Sequence, residues 1–533
     1  MAKGYLSLVL HAHLPYVRHP EYESFLEERW FFEALTGTYI PLIKTFKKLI
    51  DDKVPFEITI SISPTLLSML EDPMLQKRYV KHLNKLIELS EKEQIRNLHD
   101  GHLKWLASVY HNRFSEILEL FKSYDGRLSE AFLELHNSGH VNLITTSATH
   151  AVLPLYMAQP ESVRVQINAG VAAFESVFGF KPQGFWLPEC AYIPGIEEVL
   201  REEGIRYFFL ESHGIDHADV VPLYGIYAPL FTPSGVAAFA RDQASTEEVW
   251  SAEKGFPGDP EYREFYRDIG HELDFDYIKP YIEDKIRVDT GIKYCKITGP
   301  RAHKEYYDPY RASERAALHA DIYMNKRIDQ VNHLASTLSK EPVVVATFDA
   351  ELFGHWWYEG PLWLDFLIRK IAFDQSALAL ISPQSYLDRH PVHQYGQPCM
   401  SSWGHRGYFE VWCNGKTDWI LVHLHECIRR MNLLAPKHRM LSQNHPIART
   451  LNQCVRELLL AQSSDWPFMI TNSTSEQYAS RRVRDHISRF HYLADLVEAG
   501  QIDTSSLSAI EHLDDLFPHA DYRLYASAAT PAA

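Results

Sequence analysis

The sequence predicts an α/β protein: a parallel sheet or barrel carrying an inserted small domain, followed by an α-helical C-terminal domain. Two observations lead there. Short apolar runs alternate with long amphipathic segments up to about His393, and beyond that point the periodicity is almost wholly helical. A third observation favours a barrel, because carboxylates and histidines recur where the apolar runs end, and α/β barrels keep their chemistry at the carboxyl ends of their strands.

Taken in order, Tyr5–Leu10 is the first predicted strand and runs straight into His11-Ala12-His13-Leu14-Pro15-Tyr16. Two histidines two residues apart share one face of an extended segment. A long helix is predicted over Glu27–Asp51, then a strand over Phe56–Ile62. Ser63 reads as an N-cap with Pro64 at the first helical position, where a missing N–H is harmless. Helices are predicted over Met74–Glu93, Phe114–His136 and Ser162–Phe178, with a strand over Val141–Thr146 whose end leads to Thr149-His150. Gly184–Leu187 is a short buried strand stopped by Pro188, which delivers Glu189 at its end. A further strand is predicted over Ile205–Leu210.

Between 191 and 264 the rhythm breaks into short Pro/Gly-rich pieces, including Gly235–Ser245 and Lys254–Tyr262. These residues are assigned to an inserted domain on the catalytic face, with Gly235–Asp242 as a candidate lid. The flanking stretches 1–190 and 265–392 form the barrel, the latter through helix Ser313–Leu338 and strands Val343–Thr347 and Leu378–Ile381. Residues 393–525 form the helical domain, with helices over Trp419–Leu434, Pro446–Gln462, Glu476–Ala499 and Ser505–Phe517 and a seam near Gly396–Gly407. The Ala/Thr-rich stretch 526–533 reads as a disordered tail.

Composition narrows the function. The chain has 533 residues, 46% hydrophobic and 23% charged, an ordinary globular balance too long for one small core. A net charge of −16 argues against a nucleic-acid or anionic-membrane binder, which needs a basic face. The six cysteines contain no C-x-x-C pair, so they are expected reduced and buried, without a zinc knuckle or disulfide framework. The opening apolar run is too short for a signal-peptide core, and the protein is expected in the cytoplasm with no membrane span. An aromatic content of 13%, with 11 Trp and 29 Tyr, serves a large core but also suits sugar rings, whose C–H faces pack on indole and phenol planes.

The chemistry rests on a pair. Asp349, after the buried run Val343–Thr347, is placed as Glu189 is, at the end of a different strand. One carboxylate after a strand is equally explained by solvation or an ion pair; two of them, with histidines from other strand ends (His11, His13, His150), converge on one mouth if the strands close. Glycosidic bond cleavage needs that pairing, one group to attack or stabilise an oxocarbenium-like centre and another to protonate the leaving oxygen. Burial and mutual repulsion can push two such pKa values apart.

The segments HAHLPY, THAVLP, GFWLPECAY, TFDAELFGHWW and SSWG…GYFEVWCNG, in this order, resemble glycoside hydrolase family 57. RVDTGIKYCKITG and AQSSDWPFM extend the similarity toward the branch of that family called 1,4-α-glucan branching enzymes. The resemblance implies a retaining, metal-free and cofactor-free α-glucan enzyme on an incomplete (β/α)7 barrel, with amylose or glycogen as donor and acceptor and a place in glycogen biosynthesis. It implies Glu189 as nucleophile and Asp349 as general acid/base. His11, His13 and His150 are implied contacts to sugar hydroxyls, and Arg267, Trp403, Trp412 and Asp465 are implied substrate contacts. For Trp403 and Trp412 packing at the domain seam explains the residues equally well, and Arg267 and Asp465 could pair with other charges. Where the family's second motif commonly carries a Glu, this chain has Asn142, which keeps hydrogen bonding and removes a charge. Cys190 reads as a small buried filler, not a reactive thiol.

Other readings remain. The same family holds mainly hydrolytic α-amylases and 4-α-glucanotransferases. His11-x-His13 with a further His and an Asp are also the parts of a divalent-metal site in barrel hydrolases. A binding or scaffold protein on a degenerate barrel is opposed by retention of both Glu189 and Asp349.

Overall fold

The computed structural model describes residues 2–251, 255–282, 286–299 and 304–526. Its core is one sheet built from β1 (Gly4–Ala12), β2 (Ile58–Ile62), β3 (Val141–Thr146), β4 (Gly184–Trp186), β5 (Tyr207–Leu210), β6 (Leu230–Phe231), β7 (Ala237–Ala240), β8 (Val343–Asp349) and β9 (Leu378–Leu380). The order is β6-β7-β5-β4-β3-β2-β1-β8, with β9 also paired to β1. Every pairing from β7 through β8 is parallel, and only β6 runs antiparallel to its neighbour. Seven of the parallel strands, β1, β2, β3, β4, β5, β7 and β8, make the incomplete (β/α)7 barrel, and β9 adds a short parallel pairing to the start of β1. Two-sided burial explains why these strands read as unbroken apolar runs: all nine residues of β1 and all five of β2 are buried.

Caps do much of the local work. Ser63 accepts from the Leu66 N–H with Pro64 at the first helical position, as the sequence predicts. Asp72, Asp100 and Asp308 cap the helices Pro73–Arg96, Gly101–Ser123 and Pro309–Thr337. The single helix expected over Phe114–His136 is two, Gly101–Ser123 and Leu128–Asn137. Asp125 and Gly126, at φ 51° and 85°, take left-handed turn conformations that end the first. The helix expected over Glu27–Asp51 contains a π turn, Leu35–Tyr39, between Glu28–Ala34 and Ile40–Asp51.

The largest correction concerns 191–264. That segment contributes β5, β6 and β7 to the central sheet, and the candidate lid Gly235–Asp242 is mostly β7, whose four residues are all buried. The apolar run Val236–Ala240 packs between β5 and β6, and the glycine that suggested a loop forms the turn of the β6–β7 hairpin. The chain leaves the sheet later, between Gln243 and the helix Pro309–Thr337. There Asp268 fixes the excursion by accepting from the N–H groups of Gly270, Thr290 and Gly291.

Helices Asp418–His438, Pro446–Ala461, Asp465–Thr471, Glu476–Ala499 and Thr504–Leu513 follow the sheet. Ala526, expected to open a disordered tail, is buried at the end of the turn Tyr522–Ala526; 527–533 lie outside the described residues. All six cysteines are free thiols; Cys399 and Cys413 are half-buried, contrary to the expectation of burial for all. Among the described residues no helix is long and apolar enough to cross a membrane.

Candidate active site

The carboxyl ends of the strands open on a cavity of about 780 Å³. β4 carries Glu189 to it, β8 carries Asp349, β1 leads to His11 and His13, β3 leads to His150, and β7 leads to Arg241. Along the sheet β4 and β8 are separated by β3, β2 and β1, and both carboxylates line the one cavity. His11 and Asp349 are direct register partners on β1 and β8.

Glu189 is delivered by a tight turn. Glu189 and Cys190 both sit in the left-handed region, at φ 62° and 48°, as does His150 at φ 56°. Such backbone persists in non-glycine residues only where the surroundings hold it. Here Trp186 is fully buried and stacks on His11 at 4.6 Å and 11°, while Trp403 donates its backbone N–H to the Glu189 carbonyl at 2.9 Å.

Both oxygens of the Glu189 carboxylate receive donors: Trp403 Nε1 at 2.5 Å on Oε2 and Ser464 Oγ at 2.9 Å on Oε1. Behind Ser464 runs a relay. His150 Nδ1 lies 2.8 Å from Ser464 Oγ, His150 Nε2 lies 2.9 Å from His11 Nε2, and His11 Nδ1 lies 3.1 Å from Ser61 Oγ. Burial, with the charge on His13, holds His11 and His150 well below the usual imidazole range, so both are neutral. With Ser464 donating to Glu189, one set of tautomers satisfies the chain: Ser61 donates to His11, His11 to His150, and His150 to Ser464.

His13 behaves differently. Burial pulls its pKa down, but Asp465, 3.1 Å from Nε2, outweighs that and raises it, assisted by Glu351 and Glu189. Its backbone N–H donates to Glu351 Oε1 at 3.2 Å, and the Tyr39 hydroxyl, carried by the π turn, donates to the same oxygen. Burial lifts Glu189 to about 7 against its two donors, and lifts Asp349 to about 6 against the charges on His13 and Arg241. The two carboxyl groups are therefore not spread widely apart as the sequence reading anticipates, because burial raises both. No protein side chain among the described residues donates to Asp349, which is open to the cavity.

The residues singled out in the sequence converge here with one exception. Trp403, Trp412 and Asp465 line the cavity with the three histidines and the two carboxylates. Arg267 does not: its guanidinium pairs with Glu272, close by in the chain, although Phe265 two residues earlier stacks at 4.8 Å on the cavity-lining Trp356. Asn142 lies near the start of β3, away from the mouth, and donates to the Tyr207 hydroxyl at 2.8 Å. Cys190 is fully buried and its thiol pKa is pushed up, as a filler's would be. The sequence reading misses Arg241, Glu351, Tyr39, Trp250, Trp356 and Ser464. Ser464 had a signal, since it stands beside Asp465 in a quoted motif; Tyr39 had none.

Among the described residues two clusters have the make-up of a metal site. Ligand atoms of His11, His13 and His150 lie within 4.8 Å of one another, but their inward nitrogens are engaged in the relay and with Asp465. Glu457, His486 and Asp514 are likewise close, and Arg482, Arg489 and Gln453 already occupy them.

Residues 7–396 match the family model described as glycosyl hydrolase family 57. The chain belongs to that family. In this glycosyl hydrolase family 57 chain, residues 423–525 further match the model described as the C-terminal domain of 1,4-alpha-glucan branching enzyme. The 1,4-alpha-glucan branching enzyme TK1436 of Thermococcus kodakarensis is 34% identical over 97% of this chain and 77% of its own length. Among solved structures, the alpha-amylase AmyC of Thermotoga maritima superposes with a TM-score of 0.93 at 44% identity, covering 99% of both chains. The GH57-type branching enzyme of Pyrococcus horikoshii superposes with a TM-score of 0.88 at 33% identity, covering 99% of this chain and 98% of its own.

Proposed function

We propose that this chain is a retaining 1,4-α-glucan branching enzyme. It cleaves an α-1,4 bond, holds the chain as a glycosyl-enzyme and transfers it to a 6-hydroxyl of another α-1,4-glucan such as amylose or glycogen. The observation that carries the reading is the doubly hydrogen-bonded Glu189 facing Asp349 in an aromatic-lined cavity.

Glu189 is the nucleophile. Trp403 Nε1–H and Ser464 Oγ–H both point at its oxygens, and a carboxylate satisfies two donors where a carboxylic acid would have to turn one oxygen into a donor. Catalysis needs Asp349, exposed to the cavity with no donor directed at it, to hold the proton. Glu189 has the higher pKa of the two, about 7 against about 6, so the productive form is the minor one of a proton shared between interacting carboxyl groups, and the two donors on Glu189 keep it accessible. In the first step Glu189 attacks the anomeric carbon while Asp349 gives its proton to the departing glycosidic oxygen. In the second the acceptor 6-hydroxyl loses its proton to Asp349, attacks the same carbon and releases Glu189. His13 and Asp465 offer polar contacts to sugar hydroxyls, and Trp250, Trp356 and Trp403 present ring surface that excludes water from the intermediate, with Trp412 packed behind them. Arg267, paired with Glu272 outside the cavity, has no part in this scheme.

Hydrolysis uses the same intermediate with water as acceptor, and the similarity to AmyC favours that second reading. The branching-enzyme match of residues 423–525 and the full-length similarity to TK1436 favour transfer. Incubation with amylose, followed by measurement of α-1,6 linkages against reducing ends, separates them. Branch points in excess are the expected result, and a large excess of reducing ends makes the chain a hydrolase.

A further inference from the structure

Away from the catalytic cavity, the helix Gly101–Ser123 and the start of the helix Pro309–Thr337 present a row of aromatic rings to solvent. Tyr310 is 72% exposed and Tyr306 48%. The planes of Tyr310 and Trp105 lie 9° apart with centroids at 5.5 Å; His102 lies 5.5 Å from Trp105, and Tyr306 lies 6.0 Å from His102 at 24°. The row is held in place: His102 Nε2 is 2.8 Å from the Tyr307 carbonyl, to which it donates. Tyr306 and Tyr310 expose ring surface at a cost in hydration free energy, while Trp105 is half-buried and also packs against the core.

One helical turn beyond Trp105, Val109 begins the lining of a groove of about 600 Å³, and Pro309, next to Tyr310, lines it too. The groove shares no lining residue with the catalytic cavity. Its lining carries the cations Lys44, Lys48 and Arg113 and the carboxylates Glu116, Glu359 and Asp365, so its charges balance. Asp365, 8% exposed, pairs with Arg369 through Oδ2 and leaves Oδ1 without a hydrogen-bond partner. A balanced lining does not select a phosphate or a charged peptide. Flat rings beside paired donors and acceptors suit an uncharged polyhydroxylated chain, whose C–H faces lie on the rings and whose hydroxyls meet the polar groups.

We propose that the row Tyr306–His102–Trp105–Tyr310 and the adjoining groove form a second, non-catalytic binding site for an α-glucan chain. The site retains the polymer on the enzyme while the catalytic cavity works on its ends and branches. The proposal rests on the reading that α-glucan is the substrate.

The test compares the full-length protein with Tyr310→Ala, Trp105→Ala/Tyr310→Ala and Tyr310→Phe in native gels containing glycogen, with kcat on saturating amylose measured in parallel. Tyr310 is exposed, so its replacement leaves the core untouched. Loss of an aromatic anchor is expected to weaken glycogen retardation by about fivefold or more in both alanine variants. Tyr310→Phe should keep it, and kcat should be unchanged in all three. Alanine variants retarded as strongly as the parent, with the parent active on amylose, overturn this site and leave the catalytic reading standing. A parent neither active on amylose nor retarded by glycogen overturns the catalytic reading, and this inference with it.

Discussion

Ser464→Ala tests how the nucleophile is kept charged. The hydroxyl donates to Glu189 Oε1 at 2.9 Å and is fully enclosed with His150 behind it, so alanine removes the donor with little change of shape. A hydrogen bond to a charged group contributes about 1.5–3 kcal/mol. At about 1.36 kcal/mol per pK unit, its loss raises the Glu189 pKa by about one to two units. The starting value is about 7. Since Glu189 must be ionised to attack, the acidic limb of the kcat/KM–pH profile on amylose moves upward by that amount. At neutral pH the variant loses about fivefold to fiftyfold, and raising the pH recovers part of it. Ser464→Thr keeps the hydroxyl and should leave the limb in place. An acidic limb that stays where it was in Ser464→Ala, or moves down, refutes the assignment of Ser464 as donor to an ionised nucleophile.

Glu189→Gln and Asp349→Asn are each expected to lower turnover by about three orders of magnitude or more, measured as branch points formed per enzyme, because each removes a bond-making group from both steps. Near-native rates in either variant would contradict the roles given. Asp465→Asn should flatten the pH dependence of thermal stability around neutrality. The His13 pKa is raised in the folded protein, so its contribution is fully present below the unfolded value and is lost as pH rises through the folded one. Melting temperatures of parent and variant should therefore converge as pH increases, and a gap that widened would reverse the sign. Gly184→Ala is expected to destabilise by about 1–3 kcal/mol in chemical denaturation. A methyl there would lie 2.3 Å from Cζ of Tyr207, pushing that ring off its hydrogen bond from Asn142.

The barrel and its carboxylates are legible in the sequence because strands buried on both faces read as unbroken apolar runs, and Glu189 and Asp349 stand where two such runs stop. β7 is misread for the same kind of reason. Its run Ala237–Ala240 is short and small in volume, flanked by Gly235 and by Arg241-Asp242, and nothing local distinguishes a buried strand of alanines from a loop. Arg267 shows the limit for charges: a motif arginine carries no record of which carboxylate it meets, and here its partner is Glu272. Tyr39 reaches Glu351 only because a π turn widens its helix beside Gly37, whose carbonyl Gly354 approaches so closely that a Cβ there would sit 2.0 Å away. Such contacts are made by tertiary packing between segments far apart in the chain.

The separation of 275 positions between Glu189 and Ser464 also sets an order of events during synthesis. The barrel strand that bears the nucleophile leaves the ribosome well before the serine that wires it, by roughly 10–60 s at ordinary elongation rates. A nascent barrel thus carries a carboxyl group that burial pushes toward the neutral form and that lacks the hydroxyl opposing this. Both donors to the nucleophile, Trp403 and Ser464, come from the chain after the barrel, so a chain truncated there is expected to act on amylose more slowly than Ser464→Ala does.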